Sequence, residues 1–80
     1  MKRQEIEEIV NRFFIETLEY DENAITPKIP LISGLGMTSL DVVETALFIK
    51  RTFGFQPERG DIHTLYALED LYDYIEQHLG

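Results

Sequence analysis

Leu35-Gly36-Met37-Thr38-Ser39-Leu40-Asp41-Val42-Val43-Glu44 is the stretch on which the reading of this chain turns. It marks the point where an irregular, glycine-bearing segment gives way to a helix. Thr38 and Ser39 both carry hydroxyls suited to cap a helix N-terminus. Asp41 stands three residues after Thr38, a relative of the capping-box arrangement. The spacing predicts a helix from Leu40 to Phe53. Asp41 and Glu44 place negative charge near its positive end, and Lys50 and Arg51 place positive charge near its negative end. Gly54 supplies a stop. At ~100° per residue, Leu40, Val42, Val43, Ala46, Leu47, Ile49 and Phe53 share one broad arc, the expected core face. Asp41, Glu44, Thr45, Phe48, Arg51 and Thr52 fall on the other arc. Phe48 is the odd member there, an aromatic ring among charges.

Upstream, Tyr20 to Thr38 shows no helical or alternating pattern. Pro27, Pro30, Gly34 and Gly36 interrupt it. Yet Ile25, Ile29, Leu31, Ile32, Leu35 and Met37 run through it, so we expect a long loop packed on the core. Before it, Gln4 to Glu19 reads as an amphipathic helix. Ile6, Ile9, Val10, Phe13, Phe14 and Leu18 follow i, i+3, i+4, i+7 spacing, and Ile15 falls off that stripe. Downstream, Gln56 to His63 is a turn with room for one short helical turn. Thr64 is the expected cap of a last helix from Leu65 to His78, with Leu65, Leu68, Leu71, Tyr72, Ile75 and Leu79 inward. No segment alternates convincingly. The expectation is an all-α bundle of three main helices and one short turn, a single domain over residues 1–80.

Composition narrows the function. The chain has 80 residues, no cysteine and a formal net charge of −8. The charge disfavours nucleic acid, whose phosphates it would repel, and equally an anionic membrane surface. It favours partners with basic docking faces. No apolar run approaches the ~20 residues of a membrane span, so no membrane insertion is expected. The basic start at Lys2-Arg3 is followed by acidic residues, not an apolar signal region, and a cytoplasmic monomer is the default. With 44% hydrophobic residues the chain has enough apolar material for a core.

Catalytic constellations are absent from the sequence pattern. His63 and His78 are the only imidazoles, and no metal-ligand spacing joins them to the carboxylates. Glu7-Glu8, Asp21-Glu22 and Glu69-Asp70 lie on expected solvated faces or in the loop, where nothing shifts a pKa for acid or base work. Gly34-Leu35-Gly36 is too short for a phosphate loop. Ser39 lacks a nucleophile elbow or an evident base. It has two other readings. It is an N-cap hydroxyl, or it is the place for a phosphate ester, where helix N–H groups and the dipole favour negative charge.

The motif from Leu35 to Glu44 resembles the prosthetic-group motif of acyl carrier proteins, which usually reads Leu-Gly, a variable residue, then Asp-Ser-Leu before an acidic helix. Phe53-Gly54-Phe55, Asp61-Ile62-His63-Thr64-Leu65 and Asp73-Tyr74-Ile75 extend the resemblance over nearly the whole chain. The resemblance implies that Ser39 receives 4′-phosphopantetheine from coenzyme A through a phosphopantetheinyl transferase, and that acyl or related groups ride as thioesters on the arm. The chain would then be a carrier and not an enzyme. Asp41 and Glu44 match positions that dock basic patches on acyl-activating, acyl-transferring and synthase enzymes. Met37 and Leu40 would add apolar contact. Two departures point to a specialised pathway. Thr38 replaces the usual aspartate, and Lys50-Arg51 reverse the sign at the helix end. The docking face would then be Asp41, Glu44, Phe48 and Arg51, with Phe48 either exposed there or packed under the long loop. The alternative is a carrier-like interaction module that is not modified.

Overall fold

A computed structural model describes residues 1–80. Helix α1 runs over Arg3–Arg12 and passes into a π turn at Phe13–Thr17. After a 3-10 turn at Glu22–Ala24 come α2 (Ser39–Phe53), α3 (Asp61–Thr64) and α4 (Leu68–Leu79). The architecture is all-helical, as the sequence pattern predicts, and its sole β-type pairing is an isolated bridge between Pro30 and Ala67.

The stripes close on one another. Ile6 and Val10 of α1 and Phe14 of the π turn share a core with Leu68, Leu71, Tyr72 and Ile75 of α4, all fully or almost fully buried. Burying a side chain of this size stabilises the fold by roughly 1.5–3 kcal/mol. Val42, Ile49 and Phe53 of α2 and Ile62 of α3 complete the core with Leu31 and Met37 of the long loop. Polar bonds bind α1 to α4 as well. Arg3 meets Asp73 at 2.7 Å, Glu76 at 2.8 Å and Glu7 at 2.9 Å. The Tyr72 hydroxyl donates to Asn11.

Three expectations need correction. The first concerns which face of α2 is inside. Leu40, Val43 and Leu47 are 65%, 55% and 42% exposed, while Thr45 is fully buried. Apolar residues occupy so much of this helix's circumference that their spacing does not fix the centre of the buried arc. Thr45 can occupy that arc because its hydroxyl donates to the carbonyl of Asp41 at 2.7 Å. The second concerns the last helix. Thr64 does not cap it but ends α3, donating to the carbonyl of Asp61 at 2.7 Å. Leu65 is extended and α4 starts at Leu68.

The cap of α4 comes from elsewhere in the chain. The N–H groups of Leu68 and Glu69 donate to the carbonyls of Ile29 at 3.0 Å and Pro27 at 2.8 Å. Leu31 N–H donates to the Tyr66 carbonyl at 2.8 Å. The long loop is thus stapled to α4, in line with its apolar content. Within it, a Cβ on Gly34 would sit 2.5 Å from the Pro30 carbonyl oxygen, so only glycine allows this close turn.

The third correction concerns the first helix. Its α-helical part ends at Arg12, where regular bonding gives way to a Leu18 N–H bond to the Phe13 carbonyl at 3.1 Å. The π turn adds a residue to the last turn and leaves Ile15 half-buried.

Candidate functional site

The N-terminus of α2 is built by three residues. Thr38, not Ser39, is the cap: its hydroxyl accepts the N–H of Asp41 at 3.2 Å. Asp41 reciprocates, accepting the N–H of Thr38 on Oδ2 at 3.1 Å. Tyr20 donates its hydroxyl to the same Oδ2 at 2.8 Å. The hydrogen bond from the Thr38 backbone holds the Asp41 carboxyl below the usual carboxylate range, burial opposes this, and Tyr20 adds to the lowering. Burial, and then the bond to Asp41, push the Tyr20 hydroxyl above its ordinary value.

With the cap supplied by Thr38, Ser39 becomes the first helical residue and is exposed. Its hydroxyl is not consumed by the cap. The N–H groups of Ser39 and Leu40 find no acceptor in the chain. They are two of the unpaired donors that any helix start leaves. Ser39 therefore offers an oxygen beside two free N–H groups at the positive end of a fifteen-residue helix.

A groove of about 660 Å³ starts one turn further on. Val42, Val43, Ala46 and Leu47 form its α2 wall, and Ser39 precedes Val43 and Leu47 in the same row of the helix. Ile62 and His63 of α3 and the connection from Gln56 to Gly60 form the other wall. His63 belongs to this rim. His78 is elsewhere, stacked on Phe55 at 4.5 Å.

The other residues singled out by sequence divide into three groups. Leu40 and Asp41 lie beside Ser39, Leu40 being exposed. Glu44, Phe48 and Arg51 come together around a shallow hollow of about 420 Å³, with Phe13, Thr17, Leu47 and Thr52. Met37 is only 5% exposed and belongs to the core, so of the two apolar residues expected beside Ser39 only Leu40 is on the surface. Its N–H bonds to the Leu31 carbonyl at 3.2 Å, which holds this turn against the loop interior.

Phe48 is half-buried, and its cover is the π turn that follows α1, not the long loop. Its ring stacks on Phe13 at 4.0 Å and 4° and meets Phe53 edge-on at 5.9 Å. Sequence reasoning missed Val43 and Leu47 as surface residues. The signal was present in the near-opposite placement of Thr45, but a buried threonine is recognised only once its i−4 carbonyl bond is known.

The family profile described as "Phosphopantetheine attachment site" matches residues 8–75. An acyl carrier protein of Thermotoga maritima is 33% identical over 78 residues, covering 98% of this chain and 96% of the relative. One from Coprothermobacter proteolyticus is 29% identical, covering 99% and 96%. One from Campylobacter lari is 33% identical, covering 84% and 87%. The exposed serine at a helix start fits such an attachment site, and with these matches along nearly its whole length the chain belongs to the acyl carrier protein family.

Proposed function

We propose that Ser39 is the residue that receives 4′-phosphopantetheine. The observation that carries this reading is the exposed hydroxyl on the first residue of α2, beside the unpaired N–H groups of Ser39 and Leu40. Those donors and the helix dipole suit the negative charge of a phosphodiester. Attachment replaces the serine O–H bond by an ester bond to phosphorus. The pyrophosphate of coenzyme A breaks, adenosine 3′,5′-bisphosphate leaves, and the transferase takes the proton. The bound group supplies the thiol, and this chain has no cysteine of its own. The protein is a carrier, not an enzyme. Its own residues hold the attachment point, present a docking face and flank the groove beside it.

The docking face we propose is Leu40, Asp41, Glu44, Phe48 and Arg51, and we extend it to Val43 and Leu47, which are exposed on the same helix. Glu44 and Asp41 would meet basic groups on the transferase and on acyl-transferring or synthase enzymes. Arg51, exposed at the far end, would reject partners built for a wholly acidic helix. This mixed charge, with Thr38 at the usual aspartate position, supports a specialised biosynthetic pathway over general acyl supply. Residues 1–80 would work as one carrier domain, a cytoplasmic monomer with an acidic surface. No helix is long and apolar enough to cross a membrane.

The alternative, an unmodified interaction module, would draw on Thr38 standing where the family's aspartate usually precedes the serine. Thr38 performs the capping role and leaves Ser39 free, which favours modification. The test is intact mass after incubation with coenzyme A and a broad-specificity phosphopantetheinyl transferase. One arm should be added to the wild-type chain and none to Ser39→Ala. No gain with promiscuous and cognate transferases alike, or an undiminished gain in Ser39→Ala, refutes the assignment.

A further inference from the structure

Tyr20 stands far from Ser39 in sequence but is tied to the same helix start. Three features place it. The π turn closes α1, Glu19 then adopts a left-handed conformation with φ of 60°, and the Tyr20 N–H returns to the Phe14 carbonyl at 3.0 Å. A non-glycine residue seldom holds that conformation. The ring packs edge-on against buried Phe14, with centroids 5.6 Å apart. Its body is thus fixed by the core, and its hydroxyl reaches Asp41.

Asp41 uses its two carboxylate oxygens differently. Oδ2 accepts both Tyr20 Oη–H and Thr38 N–H, while Oδ1 receives no donor in the chain. Two donors converging on one oxygen hold the side chain in a single orientation and keep the other oxygen available. Thr38 is itself part of the helix start, so its bond to Asp41 stays within that turn. Tyr20 is the link that comes from outside α2 and refers Asp41 to the core. We propose that Tyr20 is a positioning residue for the modification of Ser39, acting through Asp41, whose unpaired oxygen it presents to a cationic group of the modifying transferase. The inference rests on Ser39 being the attachment site. It concerns pre-organisation of the docking carboxylate, so the effect belongs in the affinity for the transferase, not in the chemical step.

The experiment is steady-state modification of the full chain by a phosphopantetheinyl transferase with coenzyme A, varying the carrier concentration. Tyr20→Phe keeps the ring against Phe14 and deletes only the hydroxyl. The expected result is a roughly threefold to tenfold rise in KM with kcat nearly unchanged. In an Asp41→Ala background the same substitution should add nothing, which is the sign of action through Asp41. The Asp41 carboxyl, followed by NMR, should titrate higher in Tyr20→Phe than in wild type. Tyr72→Phe is the control. It deletes another partly buried hydroxyl bond, to Asn11, away from the α2 start, and should leave KM unchanged. An unchanged KM in Tyr20→Phe overturns the inference. So does an equal rise in Tyr72→Phe, or one that persists without Asp41. Modification surviving in Ser39→Ala overturns the attachment reading and this inference together, whereas an inert Ser39→Ala with an unchanged Tyr20→Phe overturns the inference alone.

Discussion

The starts of α2 and α4 solve one problem in opposite ways. Both helices expose donors that need acceptors. At α2 the acceptors are side chains of the same turn, Thr38 and Asp41, and the N–H groups of Ser39 and Leu40 stay free. At α4 the Asp70 carboxylate accepts only the Ala67 N–H, and the loop carbonyls of Pro27 and Ile29 take Glu69 and Leu68. The second start is sealed by chain and has no donor left for a ligand at those positions. The difference teaches that the local cap of α2 leaves backbone donors free, whereas the cap of α4 drawn from a distant segment occupies them. A cap made by a distant segment buries the donors that an anion would use.

Substitutions can separate the two arrangements. The largest effect is expected from Gly34→Ala, which drives a methyl group into the Pro30 carbonyl and disturbs the loop that seals α4. The expected loss is on the order of 2 kcal/mol in denaturant unfolding. Faster amide exchange at Leu68 and Glu69 should accompany it, with the α2 cap retained. Unchanged exchange there would show that the loop is not what seals α4.

Next in size is Thr38→Ala, which removes the hydroxyl acceptor of α2. A loss of ~1 kcal/mol is expected, with Thr38→Asp largely sparing stability because a carboxylate caps as well. If Thr38→Ala is neutral, the α2 start is not locally capped and the contrast with α4 fails.

The smallest effect is acid dependence. Asp41 has a lowered carboxyl pKa in the fold, so its contribution is full above pH ~4 and is lost as pH falls through the folded value. Asp41→Asn should flatten the acid limb of a stability-against-pH curve and leave its neutral-to-basic shape alone. An acid limb as steep as wild type would exclude Asp41 as a contributor.

The same contrast explains what was legible in the sequence. The α2 cap was readable in outline because Thr38 and Asp41 sit three residues apart and carry the chemistry on their own side chains. Gly54 at its close was readable for a similar reason, and its N–H bonds to the Lys50 carbonyl at 3.1 Å. The start of α4 was not, because Ala67 has no capping atom and the acceptors are backbone groups far back in the chain. Thr64 offered a plausible hydroxyl and belonged to α3.

The inner face of α2 was misread for another reason. Leu40, Val43 and Leu47 look like core residues by type, and only the packing of Val42, Thr45, Ile49 and Phe53 fixes the helix rotation. That rotation also turns Leu40, Val43 and Leu47 outward. Ser39 stood out in the sequence through its motif. Tyr20 had no signal, since nothing in a single tyrosine announces a partner across the long loop.

The bonds from Arg3 to Asp73 and Glu76 have one more consequence. They set the beginning of α1 beside the latter part of α4. The other end of that first helix, through Tyr20, meets the turn that carries Ser39. The bundle therefore has two poles, with Arg3 and Glu76 at one and Ser39 at the other. Any tether joined to the chain at either extremity would leave from the pole remote from Ser39. A neighbour held on such a tether would leave the Ser39 end of the bundle uncovered.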